Sequence, residues 1–253
     1  ASKYAFNARP SYLYLFDQED DYVYLPFSYS NDYSRPSRNS FSIRNIVFEG
    51  GLREEQIQVK TEAIDRLNSV GSVIIAAACG FGKTAMAIYI ASKVKLKTLI
   101  LCHRIVLIKQ WETSINKFCP TAKVKVVQKE EHLNSDADFY IMNASNVSKF
   151  KREAYKDIGL LCVDEAHIIM AEKLSQCMRF IIPRYVIGLS ATPYRTDGLD
   201  VLIEMYFGKY KIERKLFRKH TVYRLNTGFK PEVKMNKMGK VDWGSVLESQ
   251  CLN

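Results

Sequence analysis

The residues best suited to chemistry lie in a glycine-containing loop at residues 77–84, which reads Ala-Ala-Cys-Gly-Phe-Gly-Lys-Thr. A short apolar run precedes this loop and a helical pattern follows it. Gly80 and Gly82 let the backbone turn so that consecutive N–H groups converge on one anion, and the start of the helix adds partial positive charge there. Lys83 could then reach the β- and γ-phosphates of a nucleotide, and Thr84 could bind Mg²⁺. The alternative is a glycine turn with only a structural role.

An acidic pair, Asp164 and Glu165, directly follows the apolar run at residues 159–163. At the carboxyl end of a strand, such a pair complements a phosphate-binding loop. Asp164 would hold Mg²⁺, directly or through water, and Glu165 would orient and deprotonate the water that attacks the γ-phosphate. The alternative is that the two carboxylates only favour the dipole of a helix that begins there.

Apolar runs and helical patterns alternate along most of the chain. Helical spacing occurs at residues 52–67, with an apolar stripe of Ile57, Ile64 and Leu67, and at residues 104–118. Strand patterns occur at residues 73–76, 96–102, 124–127, 139–142, 159–163 and 185–189. Several are apolar on both faces, which predicts an α/β fold with a doubly wound, mostly parallel sheet. Ligands of such sheets bind beyond the carboxyl ends of the strands, where both chemical clusters lie.

The first 48 residues are rich in tyrosine and phenylalanine. Residues 12–16 and 22–25 show strand patterns around an acidic turn at residues 17–21, which predicts a small β-rich appendage with a hairpin. Its aromatic rings could stack on nucleic-acid bases. Packing is the commoner role of such rings and is the one we expect.

The chain carries a formal net charge of +10, and residues 209–240 contain eleven Lys and Arg residues against two Glu residues. This bias favours a polyanionic partner, above all nucleic acid, over a merely solvated basic surface. Six cysteines are scattered without a Cys-x-x-Cys pair. They predict reduced thiols in an intracellular, reducing compartment. No apolar run approaches about 18–20 residues, so no membrane partner is expected.

The two clusters belong to a longer series of motifs. After the loop and Asp-Glu-Ala-His at residues 164–167 comes Ser-Ala-Thr at residues 190–192. Their order and spacing resemble superfamily 2 helicases of the DEAH type, and residues 50–208 resemble the first RecA-like domain of that family. Leu-Arg-Glu-Glu-Gln at residues 52–56 resembles the branch of the xeroderma pigmentosum group B and phage recombination helicases. The loop wording resembles helicases of large DNA viruses, including poxvirus-type transcript-release helicases.

The resemblance implies a role for each matching residue. The residues that would bind ATP are Arg53, Gln56, Cys79, Gly80, Phe81, Gly82, Lys83, Thr84 and Ala85. Those that would hold Mg²⁺ are Thr84 and Asp164. The residues that would act in catalysis are Glu165, Asp164 and Lys83. Those that would couple the nucleotide site to strand movement are His167, Ser190 and Thr192.

Three side chains in or near these motifs have ordinary alternatives. Gln56 would hydrogen-bond the adenine edge, yet it could equally be an exposed helix residue. Cys79 could be oxidation-sensitive, although packing of a small residue is the expected role. Trp111, at helical spacing, is expected in the core.

The resemblance also implies a nucleic-acid face opposite the nucleotide pocket. The candidates are His103, Arg104, Asn143 and Ser145, which follow two predicted strands. His103 and Arg104 depart from the Pro-Thr-Arg wording of many relatives, and the alternative for Arg104 is local capping or pairing. We expect backbone contacts rather than base contacts. DNA, single- or double-stranded, is the favoured partner and RNA the alternative.

The expected division of the chain is a β-rich appendage at residues 1–48, a RecA-like ATP-binding domain at 49–212 and a basic connector at 213–253. The connector would lead to a second RecA-like domain in cis, which supplies arginine fingers. No arginine-finger motif is present in this sequence, and such a finger is worth roughly 10³–10⁵ in rate. We therefore expect an N-terminal fragment of an ATP hydrolase that turns over slowly alone. For a viral protein, the location would be the host cytoplasm or the virion.

Three alternatives to a strand-separating helicase stay open. A double-strand DNA translocase shares these motifs. A non-hydrolysing nucleic-acid-binding or scaffold module would retain the fold without the chemistry, but Lys83, Thr84, Asp164 and Glu165 are all intact. A nucleotide switch that binds proteins fits the basic balance and Ser-Ala-Thr less well.

Overall fold

The computed structural model describes residues 14–30, 35–169, 176–192, 200–214, 230, 233–236 and 239–251. The chain divides into two compact units, Ala1–Leu216 and Phe217–Asn253. The three-part division expected from the sequence stays a prediction.

A small antiparallel hairpin lies near the N-terminus, as predicted, but its first strand is displaced. Strand β1 spans Asp17–Glu19 and strand β2 spans Tyr22–Tyr24. The expected strand at residues 12–16 is wrong where it is described, because the acidic segment assigned to the turn forms β1 instead. Arg152 forms ion pairs with both ends of β1 and so offsets the charge of an acidic strand.

The aromatic rings of this region only partly follow the expectation of packing. Phe27 packs against the hydrophobic core, and the Arg152 guanidinium lies 3.9 Å from the centre of the Tyr24 ring. Among the described rings, those of Tyr14, Phe16, Tyr22 and Tyr29 are exposed to solvent. Exposure does not exclude packing, because the Tyr14 and Phe16 rings lie edge to face with their centres 6.2 Å apart.

Seven strands of the larger unit form one parallel sheet, which confirms the doubly wound architecture. They are β3 Ser72–Ala77, β4 Thr98–Cys102, β5 Val124–Val126, β6 Phe139–Asn143, β7 Leu160–Val163, β8 Tyr185–Ser190 and β9 Lys211–Arg214. Their order across the sheet is β5-β6-β4-β7-β8-β3-β9. The edge strand β9 was not expected from its sequence, since Lys-Ile-Glu-Arg offers only one apolar side chain.

Helices flank this sheet on both faces. They are α1 Phe27–Ser30, α2 Glu54–Val70, α3 Lys83–Val94, α4 Ile105–Phe118, α5 Ala166–Ile169 and α6 Asp200–Phe207. Short 3₁₀ helices span Arg38–Ser40, Glu130–Asn134, Ala144–Lys149, Arg152–Tyr155 and Gln176–Phe180. Helix α2 ends at Gly71, whose φ of 79° is a left-handed conformation that glycine adopts at little cost.

Two hydrophobic cores sandwich the sheet because alternate side chains of a strand point to opposite faces. In β3, Val73 and Ile75 face the core formed with α2, α3 and α4, whereas Ile74 faces the core formed with α6. Both faces of β3 are therefore buried, as its continuous apolar run predicts. This burial fixes the carboxyl ends of the strands, where the site lies.

The smaller unit is described only in part. Helix α7 spans Trp243–Cys251, with Val246 buried and Trp243 and Leu247 exposed, and Met235 forms an isolated bridge with Val241. Most of the basic stretch at residues 215–232 lies outside the described residues. Among the helices that are described, none combines the length and apolar character needed to span a membrane.

Candidate nucleotide-binding site

The loop between β3 and α3 is bent at its two glycines. Gly80 has a φ of 80° and Gly82 a φ of 90°, both in the left-handed region. A Cβ atom at Gly82 would lie 2.4 Å from Gln56 Nε2, so that position excludes any larger residue without rearrangement. Phe81, between them, is 2% exposed and belongs to the core. Cys79 is exposed, and the expectation that it packs as a small residue is therefore wrong.

Lys83 begins α3 and folds back over the loop. Its Nζ donates to the carbonyl oxygens of Ala77 at 2.7 Å and Ala78 at 3.4 Å. Thr84 and Ala85 follow in the first turn of the helix and are half-buried. In this arrangement the Lys83 ammonium group is hydrogen-bonded to the backbone of its own loop.

Arg53 and Gln56 are held against the same loop. Gln56 Oε1 accepts from the Arg53 backbone N–H at 2.8 Å, and Gln56 Nε2 donates to the Phe81 carbonyl oxygen at 2.7 Å. The Arg53 guanidinium donates to the carbonyl oxygens of Gly80 and Phe81. Because Gln56 is only 3% exposed, the alternative of an exposed helix residue is wrong.

The buried face of α2 differs from the stripe expected from its sequence. Ile57 is 47% exposed, and the buried positions are Gln56, Val59, Ala63 and Leu67. A polar side chain can take a buried position when its hydrogen bonds are made, as they are for Gln56. The small Ala63 side chain adds to the same buried face. The face of α2 is therefore rotated toward the phosphate-binding loop.

Asp164 lies at the end of β7 with its carboxylate held on both oxygens. Oδ2 accepts from Trp111 Nε1 at 2.8 Å, and Oδ1 accepts from the Glu165 backbone N–H at 3.0 Å. Burial raises the pKa of the Asp164 carboxyl above its ordinary value, and the Trp111 hydrogen bond opposes that rise. Trp111 is in the core as expected, yet its contact with Asp164 was missed. The signal available was that a buried indole N–H needs an acceptor.

Glu165 has an unusual backbone. Its φ of 48° is left-handed, which is uncommon for a residue with a Cβ atom. Its Oε2 atom is buried without a hydrogen-bond partner, and His167 Nδ1 lies 3.5 Å from it. Helix α5 begins at Ala166, so the direction of the Glu165 side chain is set by the turn between β7 and α5. Such strain is found where the surrounding structure over-determines a functional position.

His167, Ser190 and Thr192 form a chain of hydrogen bonds beside Glu165. His167 Nδ1 lies 2.8 Å from Ser190 Oγ, and Ser190 Oγ accepts from the Thr192 backbone N–H at 3.0 Å. The network links the carboxyl ends of β7 and β8. A change at either strand end would therefore reach Glu165 through His167.

Thr84 and Asp164 line one cavity of about 570 Å³, together with residues of α4. A threonine hydroxyl and a carboxylate are the oxygen ligands that Mg²⁺ takes beside substrate phosphates and water. No group of three or more His, Cys, Asp or Glu residues able to hold a metal occurs in the described parts of the chain. Thr84 and Asp164 could together hold a Mg²⁺ ion that is also bound by nucleotide phosphates and water.

The four candidate nucleic-acid residues gather at the ends of β4 and β6. Asn143 Oδ1 accepts from the Ser145 N–H at 3.0 Å and from the Ser145 hydroxyl at 2.6 Å, while Asn143 Nδ2 donates to the His103 carbonyl oxygen at 3.4 Å. Arg104 is exposed at the start of α4, with no ion pair among the described residues. His103, Arg104 and Glu165 line one cavity of about 380 Å³. Asn143 and Ser145 are already hydrogen-bonded to each other, whereas the exposed Arg104 guanidinium could contact a ligand.

Comparison with known proteins places this site in a family. The family model described as "Type III restriction enzyme, res subunit" matches residues 49–195. Protein "Putative helicase 161L" of Invertebrate iridescent virus 6 is 43% identical over 98% of this chain and 58% of its own length. "Putative ATP-dependent RNA helicase L396" of Acanthamoeba polyphaga mimivirus is 29% identical over 77% of this chain and 39% of its own length.

Similar proteins are also found outside the viruses. "DNA 3'-5' translocase XPB2" of Sulfurisphaera tokodaii is 29% identical over 56% of this chain and 35% of its own length. The Sulfolobus solfataricus SWI2/SNF2 ATPase core has the same fold, with a TM-score of 0.55 and 22% identity over 67% of this chain and 38% of its own. The chain thus spans about a third to three fifths of the curated relatives described here. It belongs to the type III restriction enzyme res subunit family, within the superfamily 2 helicases that carry a RecA-like domain.

Proposed function

We propose that this chain is the first motor domain of an ATP-dependent helicase or translocase that moves along nucleic acid. The observation that carries the proposal is the meeting of two clusters at one edge of the sheet. Lys83 and Thr84 begin α3, Asp164 and Glu165 follow β7, and Thr84 and Asp164 line the same cavity. Family membership supports the assignment.

In the proposed reaction, the loop exchanges internal hydrogen bonds for bonds to a nucleotide. The Lys83 ammonium leaves the carbonyl oxygens of Ala77 and Ala78 for phosphate oxygens. Gln56 presents its amide to the adenine edge at the cost of its bond to Phe81. Mg²⁺, held by Thr84 and Asp164, would neutralise charge on the phosphates.

Glu165 accepts the proton of the attacking water in this proposal. Its Oε2 atom is buried and has no hydrogen-bond partner, so it is ready to accept one. His167 lies beside it and connects to Ser190 and Thr192. Loss of the γ-phosphate would therefore change the hydrogen bonds at the end of β8. Through them, hydrolysis could be coupled to movement along the nucleic-acid strand.

We further propose DNA as the track, with RNA as the alternative, and a second RecA-like domain in cis as the source of arginine fingers. Arg104 is exposed and stands at the N-terminus of α4, where a phosphate is also favoured by the helix dipole. The relative XPB2 is named a DNA translocase and the relative L396 an RNA helicase, so relatives support both tracks.

A reducing compartment is proposed as the site of action, in the host cytoplasm or virion if the protein is viral. Five of the six cysteines are free thiols, namely Cys79, Cys102, Cys119, Cys162 and Cys177. Burial raises the pKa of Cys119 to about 11, which keeps that thiol protonated and unreactive.

The test measures binding of equal-length single-stranded DNA, duplex DNA and RNA to the chain by fluorescence anisotropy, with and without Mg·ATP. We expect backbone binding that weakens as salt rises and that responds to nucleotide. Lys83→Ala should abolish the nucleotide response, and Arg104→Ala should weaken every nucleic acid similarly. Failure of the chain to bind any of the three, with or without Mg·ATP, would reject the motor assignment.

A second candidate is translocation on duplex DNA without strand separation. The name of the XPB2 relative, a DNA translocase, favours it. Strand-displacement and triplex-displacement assays on the complete polypeptide separate the two: a helicase releases the paired strand, whereas a duplex translocase releases only the third strand.

A further inference from the structure

Trp111 makes a contact that its place in the core does not require. It lies on α4, and its indole N–H donates to Asp164 Oδ2 at 2.8 Å across a sequence separation of 53 residues. Trp111 is 2% exposed and Asp164 is 9% exposed, so water does not compete for the bond. The contact joins the turn after β7 to helix α4, which begins directly after the exposed Arg104.

The two donors to Asp164 fix the plane of its carboxylate. Oδ2 is held by a side chain from α4, and Oδ1 is held by the Glu165 N–H of the same turn. A carboxylate oxygen has two acceptor sites, so each oxygen keeps one for another ligand. Thr84, Trp111 and Asp164 line the same cavity. The remaining acceptor sites thus belong to the cavity in which Mg²⁺ would be held.

We propose that Trp111 is a positioning residue that sets the affinity of the Asp164 site for Mg²⁺. This inference rests on the proposed function. Partners that orient a metal-binding side chain typically change metal affinity by about 10–100-fold when they are removed. The competing view is that Trp111 fills the core and its N–H merely finds an acceptor. The two views differ in whether loss of the N–H changes metal dependence or only stability.

The test removes the donor and keeps the aromatic bulk. Nucleotide binding to the chain and to Trp111→Phe is measured with a fluorescent ATP analogue, first in EDTA and then across a Mg²⁺ titration. We expect Trp111→Phe to raise the Mg²⁺ concentration at half-maximal effect about tenfold or more, with binding in EDTA unchanged. Ile115→Val is the matched control, because Ile115 is buried on the same helix and its side chain has no hydrogen-bond donor. It should alter neither value.

A second measurement leaves Trp111 in place. The chain has two tryptophans, and Trp243 is 70% exposed in the smaller unit. Trp243→Phe therefore makes Trp111 the only indole reporter. Its emission should change when Mg²⁺ and nucleotide are added together and should stay constant with nucleotide in EDTA.

The outcomes separate the inference from the proposed function. The inference would be overturned, and the proposed function left intact, if the wild type and Trp111→Phe had equal Mg²⁺ midpoints. The same holds if the emission of Trp111 did not change with Mg²⁺. A wild-type chain that binds no nucleotide at any Mg²⁺ concentration would overturn both. If Trp111→Phe does not fold, the emission measurement on Trp243→Phe decides alone.

Discussion

The left-handed backbone of Glu165 leads to a prediction about stability. Its φ of 48° brings the Cβ atom close to the following carbonyl oxygen. Glycine has no Cβ atom and adopts this conformation freely. We therefore expect Glu165→Gly to be more stable than Glu165→Ala, although glycine normally destabilises folded segments relative to alanine. Both variants lack the carboxylate, so their difference isolates the backbone.

The magnitude follows from two opposing contributions. A left-handed conformation costs an L-residue about 1–2 kcal/mol. Glycine, in turn, gives the unfolded chain extra freedom, which favours alanine by about 0.4–1 kcal/mol. The difference between the midpoints of these ranges is about 0.8 kcal/mol, which is the amount by which the free energy of unfolding of Glu165→Gly should exceed that of Glu165→Ala. For a domain of this size, this is a shift in Tm of roughly 1–4 °C.

The assay is urea unfolding of both variants at one pH, with thermal unfolding as a second probe. Gln58 provides the matched control because it is exposed in α2, where the backbone is helical. At that position glycine should be less stable than alanine by about 1 kcal/mol, the opposite sign. If Glu165→Ala proves equal to or more stable than Glu165→Gly while the Gln58 pair behaves normally, the strain argument is wrong.

Three further predictions test the surroundings of the site. Gln56→Ala should lower the free energy of unfolding by about 1–2 kcal/mol in urea, because it removes two hydrogen bonds, one that caps α2 and a buried one to the Phe81 carbonyl oxygen. Arg152→Ala should speed amide exchange in β1 and β2 at least tenfold, since the hairpin loses its ion pairs and the stack on Tyr24. Burial raises the folded-state pKa of Asp164, so this carboxyl lowers the free energy of unfolding progressively as pH rises from its ordinary pKa to the raised one. Asp164→Asn removes this titration but also removes one of the two acceptor oxygens. The free energy of unfolding of the variant relative to the wild type should therefore rise in urea as pH goes from 4 to 7, on top of a constant cost of the lost acceptor.

Much of the sheet could be predicted because its central strands are apolar on both faces. The patterns at residues 73–76, 159–163 and 185–189 correspond to β3, β7 and β8 with ends that differ by one residue. Strand β9 could not be predicted, because it contains one apolar residue and owes its existence to pairing with the edge of β3. Strand β1 escaped prediction for a similar reason, since its acidic residues depend on Arg152, far away in the sequence.

In the site, the residue types could be predicted but several contacts could not. Spacing and order indicated the loop, the acidic pair and the hydroxyls after β8. The bond from Gln56 to the Phe81 carbonyl and the bond from Trp111 to Asp164 join segments that no local pattern relates. Periodicity reports which face of a helix is buried, and it does not report which polar atom that face will meet.

The buried ring of Phe81 links ligand affinity to core packing. Its neighbours Cys79 and Gly80 are exposed, so Phe81 is the side chain through which this part of the loop enters the core. A nucleotide that reshapes the loop must either leave the ring in place or work against the hydrophobic contacts around it. Thermodynamic linkage makes this effect reciprocal. Mutations of core residues that pack against Phe81 should change nucleotide affinity, and bound nucleotide should protect that part of the core from unfolding.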